Sequence, residues 1–440
     1  MLFRISFILL LTTTYTTAQV PAFPGAQGYG ASTPGGRGGQ VIAVTNLDDS
    51  GPGSFRAAVT ARGPRIIIFR VSGTITLRSS INIREPFLTI AGQTAPGGGI
   101  TLRGENLTVS TNDVIVRFIR VRLGDEHLKE NDAVSIASGA RNVIFDHVSA
   151  SWSVDECFSP SGAIRDVTVQ WCLISESLWH SIHNKGTHGY GSLLRAVGGV
   201  SLHHNLWAHH NGRNPRFGDN YGEGPWPTYD FRNNVIYNWG SYCSGVTDGT
   251  IRANYVGNYL KPGPNSSRRN PIYMGDEATP ETRFHVASNI VEGRPELTAD
   301  NSRLFDRTER NGQRLYTLHD APFETPHVDS TSPQEAYETV LRDAGAVLPR
   351  RDSVDERIIH EVRTGTGSLI DTQQQVGGWP ELESAPPPLD SDNDGMPDYW
   401  ERDYGLDPHD PSDGPKIRES GYSNIEHYLN EIAAWRRSQP

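Results

Sequence analysis

Asn142-Val143-Ile144-Phe145-Asp146 is the stretch on which the fold turns, because it recurs along the chain. Asp113-Val114-Ile115-Val116-Arg117 precedes it. Asp166-Val167-Thr168-Val169-Gln170, Gly199-Val200-Ser201-Leu202-His203, Thr228-Tyr229-Asp230-Phe231-Arg232 and Thr250-Ile251-Arg252-Ala253-Asn254 follow it. Each copy alternates apolar and other residues with period two, the pattern of a short strand with one buried face. Measured from Val114 through Val143, Val167, Val200, Tyr229 and Ile251, the steps are 29, 24, 33, 29 and 22 residues. Most of these are too long for hairpins and too short for a helical crossover with its strands. They fit a coil with one set of strands per turn and loops of variable length on one side. Asn205 and Asn234 share one offset in successive copies, as stacked side-chain amides would. Leu88-Thr89-Ile90 and Ile100-Thr101-Leu102 extend the pattern upstream, and Ile66-Ile67-Ile68-Phe69 is expected to open the coil. The fold class is all-β, a parallel β-helix, with the Gly-rich stretch from Phe23 to Gly30 forming part of an N-terminal cap.

The chain has 440 residues, 45 of them Gly, with 21% charged residues and a formal net charge of -11. That balance excludes a general nucleic-acid binder, which needs a basic field. The start, Met-Leu-Phe-Arg-Ile-Ser-Phe-Ile-Leu-Leu-Leu, has one basic residue before a short apolar run, with small residues Thr16 and Ala18 beyond it. This reads as a secretory signal peptide over residues 1–18, which implies an extracellular or periplasmic protein. No later segment is long enough for a membrane span. Export permits one disulfide among Cys157, Cys172 and Cys243. Cys157 and Cys172 lie on adjacent turns and are the better pair, while three buried thiols are the alternative.

The coil is assigned to residues 19–330. Residues 331–382 are expected to form an extension packed along it, beginning with a capped helix at Ser332-Pro333-Gln334-Glu335. Residues 383–389, with three consecutive prolines, form a stiff linker. Residues 390–440 form a small helical module that opens with Asp390-Ser391-Asp392-Asn393-Asp394-Gly395-Met396-Pro397-Asp398-Tyr399-Trp400-Glu401. Its acids and glycine fall in the register of the calcium loop. The expected ligands are Asp390, Asp392, Asp394, Met396, Asp398 and Glu401, Met396 standing at the position that offers a backbone carbonyl.

On the coil, Glu130, Asp132, Asp155 and Glu156 lie on two turns, and Arg213, Pro215 and Arg216 lie just after another. Acids and arginines gathered on one surface suit a metal-assisted reaction on an anionic substrate. Over residues 22–275 the chain resembles the polysaccharide lyase family that contains pectate lyases. The motifs that carry this are Phe23-Pro24-Gly25-Ala26-Gln27-Gly28-Tyr29-Gly30, Gly53-Ser54-Phe55-Arg56, Val143-Ile144-Phe145-Asp146-His147 and Arg213-Asn214-Pro215-Arg216. The resemblance implies a right-handed parallel β-helix that cleaves polygalacturonate by Ca²⁺-dependent β-elimination. It implies Arg213 as the base, Arg216 as a substrate-carboxylate ligand, and Lys185 or His188 in place of a substrate-binding lysine. It implies Glu130, Asp132 and Asp155 as calcium ligands in the cleft, with Ser151 where the family has a further acid and Glu156 as a compensating one. A monomer is expected.

Other readings fit some of the same residues. A lyase of methylated pectin would be poorer in acids. A hydrolase would need two close carboxylates, whereas Asp155 and Glu156 are neighbours whose side chains should diverge. A non-catalytic glycan-binding coil could use Trp152, Trp179, Trp207 and Trp226 as a sugar platform. Asp146-His147 is read as structural, and His203, His204, His209 and His210 are not expected to converge, because alternate strand residues face opposite sides.

Overall fold

The computed structural model describes residues 20–137 and 139–437; the expected signal peptide, 1–18, lies outside the described residues. Among the described residues an eleven-stranded sheet runs in chain order from Gln40–Val44 to Thr317–Leu318, every neighbouring pair parallel. A nine-stranded parallel sheet, Gly73–Thr76 to Ile290–Val291, forms a second side. Two four-stranded sheets, containing Val134–Ile136 and Arg216–Phe217 respectively, form the third. The chain visits the three sides in turn and is a parallel β-solenoid of about 9 turns.

Register follows the repeat. Val143 pairs with Val114 and Val167, Val167 with Val200, and Val200 with Tyr229. The last step differs from the sequence reading: Tyr229 pairs with Ala253, not Ile251. The two registers differ by two residues, so the same face stays inside. Phe145, Val169, Leu202, Phe231 and Tyr255 line one apolar column of the core. The amide stack is longer than the pair that was expected. Asn205, Asn234, Asn258 and Asn289 each accept from the backbone N–H one turn back, at 2.8, 3.0, 3.0 and 3.0 Å. This ladder satisfies backbone donors at a corner where the sheet cannot.

The coil begins one strand earlier than expected, since Gln40–Val44 pairs with Arg65–Phe69. The Phe23–Gly30 stretch is not an end cap. It crosses the outer face of the long sheet, where Ala22 and Phe23 pack on Ile115 and Ile144. The Gly30 N–H donates to Thr168 Oγ1 at 2.9 Å, and a Cβ on Gly30 would meet the Val143 carbonyl at 2.3 Å. Glycine is therefore required for this close crossing. The core end is closed instead by the helix Phe55–Thr60, through Phe55, Ala58 and Val59. The three cysteines are all free and buried, so the Cys157–Cys172 disulfide does not form. The two occupy different corners of the coil: Cys172 lies just before Leu173–Ser175 with its Sγ toward the Gln170 carbonyl, and Cys157 lies just before Phe158–Pro160 with its Sγ toward the Ser175 carbonyl.

Helices Pro333–Asp343 and Ser353–Thr364 lie on the nine-stranded sheet. Val340, Leu341, Ile358, Ile359 and Val362 cover Leu173, Leu206, Val235 and Tyr237. One buried ion group fixes them. Arg122, fully buried, reaches Asp352 at 2.7 Å and Asp355 at 2.9 Å. Asp352 is also the N-cap of the second helix, accepting from the Asp355 N–H at 3.0 Å. Burial opposes its charge, but Arg122 and Arg120 hold its carboxyl below the usual carboxylate range. A depressed carboxyl stabilises the fold above its unfolded pKa of ~3.9 and loses that contribution as pH falls through its lower folded value. Asp352→Ala leaves the buried Arg122 with Asp355 but without its two-pronged partner, removes the helix cap, and is expected to cost about 3–5 kcal/mol by chemical denaturation. Protection of the amides in 353–364, taken relative to their intrinsic exchange rates, should fall below pH ~4 in the parent chain, and protection unchanged by acid would contradict this role.

Candidate active site

Four successive turns supply the cleft, all from the corner between the nine-stranded side and the third side. Asp132 precedes Val134–Ile136, and Asp155 and Glu156 precede Phe158–Pro160 one turn on. His183, His188 and Tyr190 come from the long loop before Leu193–Leu194. Arg213 comes from the turn before Arg216–Phe217. Loops at one corner of a stacked coil lie above one another, and strands are spaced by about 4.8 Å, so residues tens of positions apart become neighbours.

Asp132, Asp155 and Glu156 each present an oxygen within 4.8 Å of the others. Asp132 accepts from Ser135 Oγ at 3.0 Å and from the Glu156 N–H at 3.2 Å. Burial, then the nearby Asp155, pushes its carboxyl up to about 7. Asp155 is held the other way: burial raises it, but a 2.5 Å contact with His188 Nε2, the charge of that ring and His183 leave it below its ordinary value. The rings of His183 and His188 are stacked at 3.8 Å. Three carboxylate oxygens this close need a cation, protons or both. The set is all oxygen, which suits a hard divalent ion such as calcium.

Arg213 sits in the left-handed region, φ 57°. Its guanidinium contacts Glu156 and lies 4.0 Å over the Tyr190 ring. Arg216 follows on a strand bonded to Leu193–Leu194 and Ser244–Asp248. Burial and then Arg213 hold its pKa below the ordinary arginine value. The Nε atoms of both arginines are buried without a hydrogen-bond partner among the described residues. Unmet donors of this kind suit an anionic ligand.

The structure separates the remaining expected residues. Glu130 stays outside the acid trio; it accepts from the Asn184 N–H at 2.9 Å and lies 3.7 Å from His183, bracing that loop. Glu156 takes its place. Its oxygen approaches that of Asp155, contrary to the expected divergence, because the pair lies in a loop and not on an alternating strand. Ser151 is buried and receives a 2.7 Å hydrogen bond from Arg122, away from the cleft. Lys185 is exposed on the same loop as His188. Tyr190 and Tyr242, which flank Arg213, carried no sequence signal, since only the loop path brings them there. Asp146 pairs with Arg117 at 2.8 Å, and His147 stacks on Phe118, a structural corner. His203 meets His204, His209 faces Glu361 and His210 bonds Ser177, so no histidine cluster forms there. Trp152 and Trp207 are fully buried in packed side chains, which removes them from any sugar platform.

At the C-terminal loop, Asp390, Asp392 and Asp394 converge, and Asp394 and Glu401 converge with Asp413, a residue the sequence reading did not include. Asp398 turns away. Its carboxylate accepts from the Ser391 N–H at 2.8 Å and Ser391 Oγ at 2.9 Å, and it contacts Arg402 at 3.0 Å. The Met396 side chain is buried against Ile66 and Ile68, so only its backbone could serve as a ligand.

Coil and cleft together define a polysaccharide lyase architecture. Solved structures share the coil: a pectate lyase from Bacillus sp. N165 in complex with trigalacturonate has a TM-score of 0.51 at 16% identity, covering 72% of this chain and 98% of that one. A thermostable pectate lyase has a TM-score of 0.53 at 14% identity, covering 73% and 97%. Sequence relatives are nearer. A probable pectate lyase C of Aspergillus flavus is 39% identical over 438 residues, covering 97% of both chains. Another, of Neosartorya fischeri, is 40% identical over 424 residues, covering 93% of both. No family model matches the chain. The chain belongs to the pectate lyase family.

The raised carboxyl of Asp132 has a measurable consequence. A folded pKa above the unfolded one stabilises the fold fully below ~3.9 and loses that contribution as pH rises through about 7. Metal-free protein should lose stability between pH ~4 and about 7. Asp132→Asn should lose less, and equal losses in chemical denaturation would contradict the assignment.

Proposed function

We propose that this pectate lyase is secreted and cleaves α-1,4-linked polygalacturonate by β-elimination, with Ca²⁺ in the cleft and Arg213 as the base. The observation that carries the reading is the convergence of Asp132, Asp155 and Glu156 beside the guanidinium of Arg213. These three carboxylates fit a calcium ion by donor type and closeness. When bound there, the ion would neutralise substrate carboxylate and the negative charge that develops next to it.

The chain's own residues supply the rest. The hydrogen at C5 of a uronate lies α to the C6 carboxylate. Arg213 removes it, the C–H electrons form the C4–C5 double bond, and the C4–O bond breaks. The leaving oxygen takes a proton from solvent. Arginine, with a pKa above ~12, already carries its proton in neutral water and is a poor proton acceptor there, so activity should be greatest in alkaline solution. Glu156 holds the Arg213 cation in the free protein, and it must let go before that nitrogen can accept a proton. Arg216, its charge already disfavoured by burial and by Arg213, binds a substrate carboxylate through paired N–H groups. His188 and the exposed Lys185 line the approach and contact the chain of uronates. With three acids in the cleft, methylated pectin is the poorer substrate.

A hydrolase reading has one observation in its favour, the closeness of Asp155 and Glu156. Glu156 is tied to Arg213 and its family membership points to elimination. Product chemistry separates the two, because elimination yields a 4,5-unsaturated, ultraviolet-absorbing uronide and hydrolysis does not. On polygalacturonate the expected outcome is calcium-dependent growth of that absorbance, abolished by chelator. Saturated products, or activity indifferent to chelator, would reject the proposal. Arg213→Lys should lower turnover by at least ~10³-fold with an unchanged circular dichroism spectrum; retained turnover would remove Arg213 as the base.

A further inference from the structure

We propose that Asp390, Asp392, Asp394, Glu401 and Asp413 hold a second calcium ion, remote from the cleft, that fastens the C-terminal module onto the first strands of the coil. The acids alone would not support this. What does is that five of their oxygens are buried without a hydrogen-bond partner among the described residues: Asp392 Oδ2, Asp394 Oδ2, both oxygens of Glu401, and Asp413 Oδ1. Glu401 is 0% exposed, Asp394 4% and Asp413 5%. A buried carboxylate with nothing to accept from is costly, and several facing one another are costlier. The donors are all hard oxygens, without nitrogen or sulfur, as calcium prefers.

The set is not that of a self-contained loop. Asp398 has both oxygens engaged by Ser391, and Asp413 from the next turn stands in its place. That turn is itself fixed. Its Asp413 carbonyl accepts from Asn424 Nδ2 at 2.8 Å, and the Gly414 carbonyl accepts from the Ile425 N–H at 3.1 Å. A Cβ on Gly414 would meet Asp394 Oδ2 at 2.5 Å, so the two segments lie in direct contact. An ion here therefore joins the loop, the helix Asp398–Asp403 that carries Glu401, and the start of the helix Asn424–Arg437. Joined, these present Met396, Trp400, Ile425, Tyr428 and Leu429 to Ile66, Ile68 and Ala91. Arg70 to Asp390 at 2.8 Å and Arg37 to Glu426 at 2.9 Å tie the edges. Asp390, Asp394, Glu401 and Asp413 are buried and Asp392 is half-buried, which leaves no room for a polysaccharide and makes the role structural.

The test is hydrogen exchange on the full chain with calcium chloride alone and with chelator. Calcium should slow amide exchange across 390–430 at least ~10-fold in the parent chain. Asp132→Asn, which alters only the cleft, should keep that effect. Asp413→Asn and Glu401→Gln should each lose it and bind Tb³⁺, read by energy transfer from Trp400, at least ~10-fold more weakly. Exchange indifferent to calcium in the parent chain, or Asp413→Asn binding as tightly as the parent, would overturn the proposal. The parent-chain exchange stands as a test even if a variant does not fold. None of these readouts depends on catalysis, so failure here is separate from failure of the elimination chemistry.

Discussion

Parallel, in-register stacking is the constraint on which the rest depends. Each turn places its strands directly on the previous one, as Val114, Val143, Val167 and Val200 show. A loop leaving one corner is thus held above the loop leaving that corner a turn earlier. Asp132, then Asp155 and Glu156, then His188 and Tyr190, then Arg213, occupy that corner on four consecutive turns. Sequence separation becomes height along the coil, and a rigid scaffold positions loop residues as a site requires.

The coil treats buried polar groups in two ways. The asparagine ladder and the Arg122–Asp352–Asp355 group leave little unmet, and they fix a corner and an attached pair of helices. The cleft leaves arginine nitrogens unmet and crowds three acids together. Folding alone gains nothing from such crowding, because like charges in a half-buried cleft raise one another's cost of ionisation. That contrast distinguishes groups that hold the fold from groups awaiting a ligand.

Much of the fold was legible because period-two alternation and a recurring step are local facts. The amide offset at Asn205 and Asn234 was visible for the same reason, while Asn258 was obscured by reading the last step as 22 residues when pairing makes it 24. The path of Phe23–Gly30 was not legible, since glycine shows that a backbone comes close to something without showing to what. In the cleft, the acids of Asp132 and Asp155 and the arginine turn stood out by residue type. The exchange of Glu130 for Glu156 did not, because it depends on a loop in which neighbouring side chains converge. Asp413 was missed likewise, lying beyond the twelve-residue loop that carried the motif.

The proposed chemistry rests on one spatial arrangement, a cation held among Asp132, Asp155 and Glu156 next to residue 213. Anomalous diffraction from crystals of an Arg213→Lys variant grown with Ca²⁺ and an oligogalacturonate tests it most directly. A peak bounded by those three carboxylates is expected, with a uronate ring whose C5 faces the side chain at 213. A ligand-filled cleft with no peak there, or with its C5 on the far side of the acids, would contradict it.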